Sequence, residues 1–230
     1  LWKDQGINEV RAALTSVEEL AILQETIQSG SVAAPGMALA CMAALSLTPK
    51  DEHPRVWGTW RFELAVQLYE MTEQDVPPEL LDHSIRCLDE ALDVFPEDSD
   101  PAMWAGIHKS LGLAWAQRVT GEPEANLDES IAHLEAALSV YERGGDFWGR
   151  VATITAGEAA AERDVVRHQL RDVLRGRLQY LRSDDSLPGR IQLCRTALAH
   201  IDEEKDFEES GQWHFTLAEA LALMAAKDPR

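Results

Sequence analysis

The chain has 230 residues, 45% hydrophobic and 27% charged, enough apolar material for one sizeable core or a short repeat array. Its net charge of −19, with a pI near 4.7, argues against nonspecific contact with nucleic acid or an anionic membrane and favours basic partners. Cys41, Cys87 and Cys194 are far apart and form no CxxC pair, the usage of a reduced, cytoplasmic protein without a disulfide framework.

Val10, Leu14, Val17, Leu20, Ala21 and Ile27 recur with helical spacing and predict one or two amphipathic helices near the N-terminus. Residues 29–36 break them, with Pro35-Gly36 as the strongest punctuation. A short Ala-rich buried helix follows over 39–47. The apolar run 36–47 is too short to span a bilayer and has no charged segment before it, so it is neither a membrane span nor a signal peptide. Residues 48–54 form a polar linker with two prolines. Alternating apolar runs bounded by hairpin turns are nearly absent, which predicts an all-α fold. The chain begins at Leu1 rather than Met, and a fragment of a larger protein is expected.

A repeat emerges from Trp57. Trp57 and Trp104 open similar helices 47 residues apart, and the second helices align at an offset of 46. Leu81-Asp-His-Ser-Ile85 matches Leu127-Asp-Glu-Ser-Ile131, Glu90-Ala-Leu92 matches Ala136-Ala-Leu138, and Phe95 matches Tyr141. A third copy begins at Trp148, with its second helix over 187–201, and Trp213 opens a final helix over 213–226. Ala91, Ala137 and Ala197 are small where helices would approach closely, and Leu88, Leu134 and Cys194 fill the core position three residues earlier. Asp82 and Asp128 are expected near the starts of second helices, beside unsatisfied N–H groups. Residues 148–182 contain no proline and read as one long helix or an inserted extra one, with Gly157 and Gly176 as candidate bends.

Leu111-Gly112 followed by Trp115, with Ser130, Leu134 and Ala137 in the next helix, resembles tetratricopeptide (TPR) repeats of the form with a long inter-helix loop. Leu64-Ala65, Leu68, Ser84, Leu88 and Ala91 fit the same pattern more loosely. The stretch RVTGEPEANLDESIAHLEAALSVYER is similar to arrays that accompany CHAT (caspase-like) protease domains. The resemblance implies a right-handed superhelix of stacked antiparallel helix pairs, a TPR-like α-solenoid. It brings no recognisable catalytic His/Cys pair, so any such activity would lie outside these residues. The predicted organisation is one continuous domain, with N-terminal helices over 1–50, repeat 1 over 51–102 and repeat 2 over 103–147. An atypical Arg-rich repeat 3 over 148–211 and a final unpaired or capping helix over 212–230 complete it.

Eight of the sixteen arginines fall between residues 163 and 195, against four acids. Arg163, Arg167, Arg171 and Arg175 recur every four residues, a slowly drifting stripe on a helix beside the apolar Val166, Leu170, Val173 and Leu174. Together with Arg182 they are the candidate partner-binding residues, able to hold a carboxylate, phosphate or acidic peptide through bidentate contacts. The alternative is that they pair with Asp and Glu on neighbouring helices. His83 and Cys87, and Glu129 and His133, have metal-ligand spacing, but a position at the edge of the stack explains them better, and no metal site is assigned. Glu158 and Glu162 read as a solvated face. Trp57, Trp104, Trp148 and Trp213 read as wedges between repeats, and Trp60 and Trp115 as core.

These features point to a non-catalytic protein- or peptide-binding scaffold, a regulatory part of a larger protein included, with no catalytic residues and no cofactor. The alternative is a small helical enzyme or sensor that binds an anionic metabolite at the Arg-rich repeat. A protein or peptide partner is expected; nucleic acid and membrane are not. The unpaired last helix leaves an apolar face that missing residues, a second copy forming a homodimer, or folding back would cover.

Overall fold

A computed structural model describes residues 34–71, 79–148, 154–181, 186–201 and 206–227. All regular structure in those residues is helical, and the chain divides into two compact units after Gly121. The amphipathic segments expected before residue 34 lie outside the described residues.

The N-terminal unit contains α1 (Ala34–Leu47), α2 (Pro54–Met71), α3 (Glu79–Leu92) and α4 (Pro101–Gln117). The Pro35-Gly36 pair does not precede the first of these but lies in its first turn. Proline is tolerated there because its missing N–H would have no intrahelical partner. For the same reason Pro54 and Pro101 open α2 and α4, three residues before the tryptophans expected to do so.

The contacts give the direction of packing. Gly58 of α2 lies against Val94 and Phe95 beyond the end of α3, Arg61 pairs with Glu90 at 2.8 Å, and Ser84 Oγ donates to the Ala65 carbonyl at 2.8 Å. Residues later on α2 therefore meet residues earlier on α3, so the two helices are antiparallel. A Cβ at Gly58 would come 2.8 Å from the Phe95 ring and 3.1 Å from Val94 Cβ, so the absence of a side chain permits this close approach. Trp60, Leu64, Ala65, Leu88, Ala91, Phe95, Ile107 and Leu111 form the core, sealed on one flank by Met37, Cys41 and Ala44 of α1.

Beyond Gly121, which adopts a φ of 80°, the C-terminal unit contains α5 (Pro123–Tyr141), the single turn α6 (Gly145–Trp148), α7 (Ala156–Leu178), α8 (Leu187–Ala199) and α9 (Phe207–Lys227). Of the expected second repeat, the first helix thus belongs to one unit and the second to the other. Because Pro123 starts α5, Asp128 falls in the second turn rather than at the N-terminus, and its carboxylate pairs with Arg177. Arg177 near the end of α7 meets Glu124 and Asp128 near the start of α5, while Arg167 meets Glu142 just past the end of α5. These two helices are also antiparallel.

Helix α7 starts at a capping box. Thr155 Oγ1 accepts from the Glu158 N–H, and the Glu158 carboxylate accepts from the Thr155 N–H at 2.7 Å. Those backbone bonds, rather than a catalytic task, hold the Glu158 carboxyl below its usual range. The helix runs through both Gly157 and Gly176 without a break. Ala91, Ala137 and Ala197 are each fully buried, as are Leu134 and Cys194, with Leu88 nearly so. On α9, Trp213 and Ala220 are buried, with Ala220 and Leu217 against Leu187 and Ile191 of α8, while Phe207, Phe215, Leu223 and Met224 are exposed.

Candidate functional site

The arginine stripe on α7 is engaged by carboxylates of its own unit. Arg171 is only 8% exposed; its guanidinium lies 3.2 Å from both Asp206 and Glu209 and donates to the His200 carbonyl at 3.3 Å. Arg175 bonds Glu209 at 2.6 Å and Asp172 at 2.7 Å. Arg167 bonds Glu142 at 2.7 Å, and Arg163 bonds its neighbour Asp164 at 3.0 Å. Arg182 lies outside the described residues. The hollow of about 280 Å3 beside Arg175 is lined by Asp206, Glu208 and Glu209, so an anion entering it would meet more carboxylates than guanidiniums. Of the two roles the spacing allowed, these contacts match internal pairing.

A larger hollow lies in the N-terminal unit, where the first half of α3 and the end of α4 enclose a groove of about 450 Å3. Asp82, His83 and Arg86 lie on one face of α3 because residues three and four apart are helical neighbours. Trp115 and Arg118 approach from the end of α4, and Glu79 also lines the groove. Arg118 donates to Asp82 Oδ1 at 2.6 Å, Thr120 Oγ1 lies 3.2 Å from the same oxygen, and the Arg118 guanidinium stacks 4.8 Å from the Trp115 ring centre. The Arg118 hydrogen bond holds the Asp82 carboxyl below its usual range, with the nearby charge of Arg86 acting in the same direction. Arg86 is exposed and donates to His83 Nδ1 at 2.7 Å. It makes no ion pair with any described residue. Trp115, expected as core, is only half-buried: it packs against the core and also lines the groove. The sequence signal for this site was Trp115 with Arg118 at a helix end; the repeat register assigned Trp115 to the core and gave Arg118 no role.

The three cysteines have structural surroundings. Burial pushes the Cys41 thiol up to about 12 and raises Cys87 and Cys194 as well, so none is a ready thiolate. Arg61 lies 3.6 Å from Cys87 Sγ. Among the described residues no group of three His, Cys, Asp or Glu side chains is arranged to hold a metal ion, and no helix is long and apolar enough to cross a membrane. Compared with known proteins, the chain matches no family model, no curated protein and no solved structure.

Proposed function

We propose that the chain is a non-catalytic module that binds a protein or peptide partner, and that its helix pairs stack as a TPR-like superhelix. The observation that carries the binding role is the open groove on α3 and α4, where half-buried Trp115 lies beside Arg118 and exposed Arg86. Tryptophan and arginine are among the residues that most often dominate protein interfaces, because tryptophan covers much area at low entropic cost and arginine adds a planar fork of directional donors. Asp82 fixes Arg118 across the groove, leaving Arg86 to meet a partner's carboxylate or backbone carbonyl. The superhelix is supported by the antiparallel α2–α3 and α5–α7 packing and by the fully buried alanines at matching positions of the expected second helices. A cytoplasmic setting belongs to the same reading, supported by three free, buried thiols.

The test is to pan a random dodecapeptide library against the full chain and then to measure the enriched peptides on the parent and on the Arg86→Ala/Trp115→Ala double variant. Enriched peptides should bind the parent at least about tenfold more tightly than the variant, a loss on the scale of one interface anchor. Peptides that bind both proteins equally, at unchanged helicity, would remove the groove from the account.

A further inference from the structure

The N-terminal unit holds a second cavity, sharing no lining residue with the groove. It lies between α2, α3 and α4 and has a volume of about 220 Å3. Val66, Leu88 and Leu113 give it apolar walls, and its polar lining is Ser84, Ser110, Glu70 and Tyr69, whose hydroxyl accepts from Gln117 Nε2 at 2.5 Å. The two serines and the carboxylate present acceptors. Ser84 Oγ donates to the Ala65 carbonyl at 2.8 Å and Ser110 Oγ to the Gly106 carbonyl at 3.0 Å. Both hydroxyl protons are thus spent on backbone, leaving acceptor lone pairs, and the Glu70 carboxylate can only accept.

Two turns earlier on the same face of α2 stands Glu63, half-buried. Neither Glu63 nor Glu70 forms a hydrogen bond or ion pair with any described residue. Burial, and then the charge of Glu70, lift the Glu63 carboxyl above its usual range. A slot with apolar walls, mainly acceptor polar groups and the Glu70 carboxylate, with Glu63 two turns away on α2, is complementary to a group with a hydrocarbon stem and a head that only donates.

We propose that this slot receives a lysine side chain of the partner peptide, with its stem between Val66, Leu88 and Leu113 and its ammonium at Glu70. Lysine fits because its four-carbon stem lies well on apolar surface and its compact head carries three donors and no acceptor. The net charge of −19 draws basic segments towards the chain. The inference rests on the reading of the chain as a peptide-binding module but uses a different cavity, so the two can fail separately.

The experiment is an NMR titration of the full chain, methyl-labelled at Val and Leu, with an eleven-residue Ala/Gly peptide carrying one central lysine. The peptide should shift the methyl resonances of Val66, Leu88 and Leu113. Replacing its lysine by norleucine should weaken binding at least about tenfold, as should Glu63→Gln/Glu70→Gln in the protein, the equivalent of one charge-assisted hydrogen bond. Trp115→Ala should leave this titration unchanged, which separates it from the groove. Equal binding of the norleucine peptide, unchanged affinity in the correctly folded Glu63→Gln/Glu70→Gln variant, or shifts confined to other methyls would overturn the proposal. So would n-butylamine binding as tightly as the peptide, since the slot would then recognise a free amine.

Discussion

Arg171 carries a positive charge into the interior of the C-terminal unit, where Asp206, Glu209 and the His200 carbonyl surround it. Removing the guanidinium leaves Asp206 without this partner and Glu209 with Arg175 alone. For a fully buried pair that costs roughly 3–5 kcal/mol; Asp206 is one-third exposed, so Arg171→Met should cost about 2 kcal/mol in denaturant unfolding. Arg163→Ala, which removes only a contact with an exposed neighbour in sequence, should change stability by less than about 0.5 kcal/mol. Equal effects of the two substitutions would mean that the Arg171 contacts carry no more than surface pairs. The four-residue spacing of these arginines was legible in the sequence. What each one faces was not, because Asp206 and Glu209 lie more than thirty residues downstream and meet Arg171 only once α9 has docked.

At the scale of elements, the small-residue register transferred well from sequence to structure. Ala91, Ala137 and Ala197 stand at matching positions of the three expected second helices, and all three are fully buried. Ala137→Phe should therefore overpack α5 and cost roughly 1–3 kcal/mol, visible as a lowered thermal midpoint; an unchanged melt would count against this packing. Helix starts were read less well, for a physical reason. Tryptophans mark packing positions, whereas Pro54, Pro101 and Pro123 mark where backbone N–H groups no longer need partners. The Thr155/Glu158 capping box was present in the sequence too, but inside a stretch that read as uninterrupted helix.

For the molecule as a whole, acid should act through two histidines before it acts through the aspartates. Burial lowers the pKa of His133 and His200 in the folded chain. Below about pH 6.5 the unfolded chain therefore binds protons that the folded one refuses, so stability present above that pH is lost as pH falls through the lowered folded values. Asp82 and Asp100, held low by Arg118 and Arg55, lose their contribution only below about pH 4. Neutralising a −19 chain relieves self-repulsion and works the other way, so the comparison must be with a variant. His133→Gln/His200→Gln should lose less stability between pH 7 and 5 than the parent in urea titrations, and parallel profiles would exclude the two histidines as the cause. The all-helical class and the buried register were open to inspection in the sequence because both follow from local periodicity. The groove was not, because it joins α3 to the end of α4 and depends on which side of Trp115 the fold leaves open.

The working surface we propose lies on α3 and α4, with the described α7 arginines paired within their own unit. Hydrogen exchange of the full chain, with and without a peptide selected on it, tests that location directly. Protection is expected in residues 79–86 and 115–118, with residues 163–175 exchanging as in the free protein. Protection confined to 163–175 would contradict it and return the arginine stripe to the binding surface.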